Sequence, residues 1–191
     1  MTKGRLEAFS DGVLAVIITI MVLELAAPHD ATFEALRALT PVLLSYVLSF
    51  VMIGIYWTNH HHLFQVVQHV DGRVLWTNLH LLFWLSLVPF GTAWMGGTHF
   101  AAVPVAAYGV VLLMAALAYF VMTRALLRVH AADSPLARAL GRDFKGKISL
   151  AIYAVALPAA FIRPALACAC YVGVALIWFV PDRRMERTVH Q

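Results

Sequence analysis

An all-α membrane protein is the fold class this sequence predicts, and three observations carry the prediction. The 191 residues are 62% hydrophobic and only 13% charged, against about 45–50% and about 25% in soluble domains. The apolar residues fall into six stretches near the roughly 20 residues that a spanning helix needs. The basic residues concentrate in alternate connections between those stretches. Six spans take up about 120 residues, so residues 1–191 read as one six-helix transmembrane domain with short loops and no soluble domain.

Charge, Pro and Gly punctuate the stretches. Helix one is expected over about 5–27, ahead of Pro28. Helix two covers about 41–62. Helix three covers about 74–95 and stops before Gly96-Gly97. Helix four covers about 102–124. Helix five, about 146–162, is bent by Pro158. Helix six, about 164–181, opens on Pro164, a favoured first-turn position, and ends at Pro181. Short amphipathic helices are expected in the connection near 126–143, which carries Asp133-Ser134-Pro135, and in the one–two connection with Asp30, Glu34 and Arg37.

Six spans place both termini on one side. Lys3, Arg5, Arg73, Arg124, Arg128, Arg138, Arg142, Lys145, Lys147, Arg183, Arg184 and Arg187 then share a face, which is 12 of the 14 Lys and Arg. Only Arg37 and Arg163 lie opposite. The positive-inside rule puts both termini in the cytoplasm, of a multi-pass protein of the cell (inner) membrane. The net charge of +4 thus reads as an orientation signal, with no nucleic-acid partner expected. Cys168 and Cys170, at i and i+2 on a helix, point apart, so neither a disulfide nor a metal pair is expected.

Helix one stands out because it carries Arg5, Glu7, Asp11 and Glu24. An ionisable group at membrane depth costs roughly 2.5–3.5 kcal/mol or more, so it faces protein or water. At about 100° per residue, Arg5, Phe9, Gly12, Val16, Ile20, Leu23 and Ala27 form one stripe, with Thr19 on its shoulder and Glu24 on the other flank. Asp11, Leu14 and Ile18 lie opposite, and Ser10 also turns away, so Ser10 and Asp11 are expected to point into the bundle. Groups at the same depth are the candidate partners: Trp57, His60 and His61 at the end of helix two, and Asn78 and His80 in helix three.

These residues carry a resemblance. Arg5-Leu6-Glu7-Ala8-Phe9-Ser10-Asp11 matches an R-x-x-x-F-S-D signature, followed by Thr19 to Leu25, Tyr56-Trp57 with His60-His61, Asn78-Leu79, Leu82-Phe83 and Pro89-Phe90. The chain thereby resembles the prokaryotic relatives of the potassium channels of endosomes and lysosomes, specifically over its first half. The resemblance implies that helix one lines the pore, with Val16, Thr19, Ile20 and Leu23 at the constriction, the stripe the helical wheel also picks out. It implies a homotetramer, because there is a single six-helix repeat. It implies that Arg5, Phe9, Ser10, Asp11, Trp57, His61, Asn78 and His80 form the signature and brace helix one. Val16 departs from the isoleucine expected at the narrowest point, which shifts the restriction toward Ile20 and Leu23. No T-V-G-Y-G filter is present, and the family has none.

The function expected is passive potassium conduction, modestly selective over sodium, with Glu24 drawing cations to the outer mouth. Potassium ions, further copies of the chain and the bilayer are the partners. No cofactor is expected, nor any metal beyond potassium in transit. The alternative is a proton-coupled transporter or proton-permeable membrane protein using Asp11, Glu24, His61 and His80 as relays, although neither inverted repeats nor broken helices are evident in the sequence. A haem or metal enzyme is disfavoured because His60, His61 and His62 splay about 100° apart. Catalysis is not expected: Ser10 and Asp11 are neighbours that cannot face each other.

Overall fold

A computed structural model describes residues 2–140 and 143–179. Arg142, Pro181, Arg183, Arg184 and Arg187 lie outside the described residues. Within them the chain is helical and contains no strand.

Helix α1 runs Lys3–Leu23, four residues short of the expected end. Beyond Leu23 the chain tightens, with Leu25 N bonded to Val22 O at 3.1 Å, as helices do when they unwind at a terminus. Pro28 disfavours helix at the residue before it. Ala27 therefore leaves the stripe. Helix α2, Phe33–Ala38, begins where the Thr32 hydroxyl accepts from Ala35 N at 3.2 Å. Helix α3, Thr40–Val66, continues a turn past the three histidines. Its 27 residues reach about 40 Å at 1.5 Å per residue, longer than a roughly 30 Å hydrocarbon core.

The third span divides into α4, Gly72–Ser86, and α5, Val88–Gly97. Asp71 caps α4, its carboxylate accepting from Val74 N at 2.9 Å. The interruption at Leu87 follows from Pro89, which has no N–H to give the Leu85 carbonyl and whose ring crowds it. The sequence reading saw no broken helix, so this interruption is a difference from it. Helix α6, Ala102–Arg128, is followed by α7, Pro135–Leu140. Helix α8, Phe144–Ile162, is continuous through Pro158, and α9 covers Pro164–Phe179. Among the described residues, five segments are long and apolar enough to cross a membrane: α1, α3, α4 with α5, α6 and α8. The α9 segment is apolar but shorter, with 16 described residues.

Helix α6 is the hub, packing against α4, α5, α8 and α9 through Tyr108, Leu112, Ala115, Ala118, Met122 and Leu126. Close approach depends on small residues. A methyl group on Gly109 would overlap the Tyr171 hydroxyl, and one on Gly96 would meet Val42 Cα at 2.9 Å. Polar groups within the apolar layer bond to one another. The Tyr108 and Ser49 hydroxyls are 2.9 Å apart, Thr92 Oγ1 is 2.6 Å from Ser49 Oγ, and Tyr171 donates to Val105 O at 3.0 Å. These bonds tie α3, α5, α6 and α9 together where no water competes. Helix α1 sits at the edge, packed on α3, α4 and α5 along one side.

Candidate functional site

Helix α1 buries a narrow arc of Leu6, Ser10, Leu14, Ile17 and Met21. Their three- and four-residue spacing is that of one helix face. Lys3, Glu7, Val13 and Ile18 are half-buried, and the remaining residues of the helix are exposed. On the far side lie Phe9, Val16, Ile20 and Leu23, with fractional exposures of 52, 55, 42 and 81%. Arg5, Asp11, Gly12, Thr19 and Glu24 are exposed too. No atom lies within 4 Å of a methyl group built on Gly12. The Thr19 hydroxyl donates to Val16 O at 2.8 Å, which fixes its proton inward and leaves its lone pairs to the open side.

Two strings of polar contacts fasten this helix. The buried one joins three helices: Asn78 donates through Nδ2 to Ser10 Oγ at 3.0 Å, and its Oδ1 lies 2.9 Å from His60 Nε2. Because Oδ1 only accepts, the His60 ring carries its proton on Nε2. Ser10 in turn donates to Leu6 O at 2.9 Å. Ser10, Asn78 and His60 are each at most 2% exposed. The outer string is less covered. Trp57 Nε1 donates to Asp11 Oδ1 at 3.0 Å, and the indole stacks on the His61 ring at 5.9 Å with 17° between planes. His61 Nε2 is 2.9 Å from Gln65 Nε2, and Lys3 Nζ donates to Gln65 O at 3.3 Å.

The arrangement sorts the residues singled out from sequence. Ser10 and Asn78 meet, and Asp11 meets Trp57. Asp11 does not enter the bundle: it lies about 100° around the helix from Ser10, at the rim of the buried arc, and the long indole reaches out to it. His61 does not touch Asp11 directly and joins the outer string through the Trp57 stack and through Gln65. His80 is exposed and accepts from Trp84 Nε1 at 2.9 Å, outside both strings. Among the described residues, Arg5 and Phe9 make no hydrogen bond, ion pair or ring contact with either string. The histidine at the centre is His60. It shares a face with Ser49, Met52, Ile53 and Phe64, the buried side of α3, and that seven- and eleven-residue spacing singles it out from its two neighbours.

Glu24 is the C-cap residue of α1. A negative charge there opposes the helix dipole, at a cost of about 0.3–1 kcal/mol, so helix stability does not account for its position. Beside it is an open cleft of about 550 Å³, counting its mouth, between α1, α3 and α5, lined by residues that include Met21, Ser45, Tyr46 and Thr92.

Comparison with known proteins gives a consistent set of relatives. A family model described as endosomal/lysosomal potassium channel TMEM175 matches residues 5–89. A potassium channel of Chryseobacterium sp. is 50% identical over 191 residues, 100% of each chain. The crystal structure of a lysosomal potassium-selective channel TMEM175 homologue from Chamaesiphon minutus matches with a TM-score of 0.79 at 30% identity. That match covers 93% of this chain and 96% of the other. A human protein described as endosomal/lysosomal proton channel TMEM175 is 36% identical over 36% of this chain and 16% of its own length.

Proposed function

The chain belongs to the TMEM175 family, and we propose that it is a passive potassium channel of the cell membrane whose pore is walled by α1 from four copies. In this reading α9 is the sixth span and both termini are cytoplasmic, as the distribution of Lys and Arg favours. The exposed side of α1 is the observation that carries the proposal. A single copy leaves Arg5, Asp11, Thr19 and Glu24 uncovered along a helix apolar enough to span a membrane. Against lipid each ionised group would cost roughly 2.5–3.5 kcal/mol or more. Against a water-filled axis and neighbouring copies they are solvated or paired.

Around a four-fold axis Val16, Ile20 and Leu23 form apolar rings that close the path by dewetting or side-chain contact. The Thr19 lone pairs replace part of a cation's water shell. That exchange favours weakly hydrated potassium over sodium by a modest factor. Glu24, repeated four times, raises the cation concentration at the outer mouth. The Ser10–Asn78–His60 string holds α1 in place and does not touch the ion.

The test is reconstitution into a planar bilayer with opposed potassium and sodium gradients and a separate pH gradient. A reversal potential displaced toward the potassium equilibrium potential supports the proposal. One that follows the pH gradient alone would replace it with the proton reading, which the description of the human relative favours.

A further inference from the structure

At the ends of α4 and α6 the structure holds a second feature that no pore residue lines. It is an open groove of about 1150 Å³, counting its mouth, between the start of α4 and the last turns of α6. Three arginines border it: Arg73 in the first turn of α4, and Arg124 and Arg128 one turn apart on α6. Its apolar wall is Trp76, Phe120 and Val121. From these contacts we infer that the groove binds the phosphate headgroup of an anionic phospholipid, with the first carbons of its acyl chains against Trp76 and Phe120.

Charge and shape both select that occupant. All three guanidinium groups are exposed, and among the described residues none is in an ion pair. Arg124 is held in place by lying over the Phe120 ring, 4.9 Å from its centroid. Two carboxylates are near. Asp71 lines the groove, but its Oδ1 is committed to Val74 N at 2.9 Å. Asp143 feels Arg124, but its Oδ1 faces Gly146 N at 3.2 Å. Three arginines against these two carboxylates leave the groove net positive, with unspent guanidinium donors. Planar guanidinium groups pair with phosphate oxygens two bonds at a time. A soluble phosphate would gain from the arginines but not from the wall beneath them. Trp76 is 74% exposed and sits one turn deeper along α4 than Arg73, the level at which indoles favour the headgroup boundary. Basic clefts between spanning helices take anionic headgroups in this way. With the orientation proposed above, the lipid belongs to the cytoplasmic leaflet. Binding itself does not depend on conduction.

The experiment uses Trp76 fluorescence in reconstituted vesicles, isolated as the difference between the wild type and Trp76→Phe. Brominated phosphatidylglycerol and brominated phosphatidylcholine are compared as quenchers at equal mole fraction. The wild type should show a clear preference for phosphatidylglycerol, falling about fivefold for each arginine removed and vanishing in R73Q/R124Q/R128Q. Arg138→Gln, on α7 outside the groove, should retain it. Equal quenching by the two lipids in the wild type overturns the inference. So does an equal loss in Arg138→Gln, which would reduce the effect to diffuse surface charge. Inorganic phosphate that abolishes the preference, where chloride at the same ionic strength does not, would assign the groove to soluble phosphate instead. Because potassium flux is measured separately, a failure here leaves the channel reading standing, and the reverse also holds.

Discussion

The Asn78 carboxamide donates to the Ser10 hydroxyl at 3.0 Å across 68 residues of sequence, and this bond joins α1 to the body of the helix bundle. The same carboxamide lies 2.9 Å from His60 on α3. One side chain therefore fixes the lateral position of the helix proposed to wall the pore.

Replacing Asn78 by Leu removes both contacts and leaves the His60 N–H buried without an acceptor. A buried group left so costs about 1–3 kcal/mol. Thermal unfolding in detergent should show a clear fall in midpoint. The double variant His60→Phe/Asn78→Leu should recover part of the loss, because both partners are then apolar. Additive losses would mean the two residues do not act as one unit.

The Asp11 carboxylate has a single described hydrogen bond, from the Trp57 indole, and both residues are exposed in one copy. Asp11→Ala should lower the yield of tetramer in size-exclusion chromatography with light scattering, more than it shifts the reversal potential. Trp57→Phe should give a weaker defect of the same kind. Normal assembly of both variants would exclude a role for this pair in placing α1 against its neighbours.

Ile20 and Leu23 are expected to set the narrowest rings. Ile20→Asn or Leu23→Asn exchanges an apolar ring for one that holds water, so single-channel conductance should rise or potassium preference should fall. Unchanged currents would remove them from the constriction.

Asp143 lies outside the spans at φ 42° and caps α8. Burial raises its pKa above the ordinary carboxylate value, against the Gly146 N–H and the charges of Lys147 and Arg124, which act to lower it. The folded state therefore binds this proton more tightly than the unfolded one. Between the folded value and the unfolded value near 3.8, this group's contribution to stability falls as pH rises, and above that window the buried charge is a standing cost. Asp143→Asn keeps an acceptor for Gly146 N and suits the left-handed backbone. It should be at least as stable as the wild type at neutral pH, and should lack the wild type's gain on acidification through that window. Urea unfolding across pH checks both.

Much of the bundle could be read from residue patterns. The run from Leu6 to Leu23, broken only by Glu7, Ser10, Asp11 and Thr19 among its polar positions, announces a membrane helix with work to do. Depth alone placed Asn78 among the candidate partners of Ser10 and Asp11, together with Trp57, His60, His61 and His80, but did not assign the pairs. The choice of His60 over His61 does not follow from it, because depth cannot tell neighbours apart; only the buried face of α3 does. Asp11 was misplaced for a related reason. The wheel shows that it is opposite the Val16–Ile20 stripe but not how narrow the buried arc is, and that width depends on how few helices touch α1. The end of α1 at Leu23 and the extra turn of α3 past His62 are likewise matters of neighbouring packing and membrane depth. The helix interruption at Leu87 was not expected from sequence, although Pro89 carries its signal.

A pore walled by α1 requires the Val16–Ile20–Leu23 side of the helix to face water. Single cysteines at these three positions, and at Leu14 and Ile18, can be challenged with a small charged thiol reagent while current is recorded. The account predicts rapid modification and block at Val16, Ile20 and Leu23, slowed by high potassium, with Leu14 and Ile18 inert. Reaction at Leu14 and Ile18 with silence at the other three would contradict it.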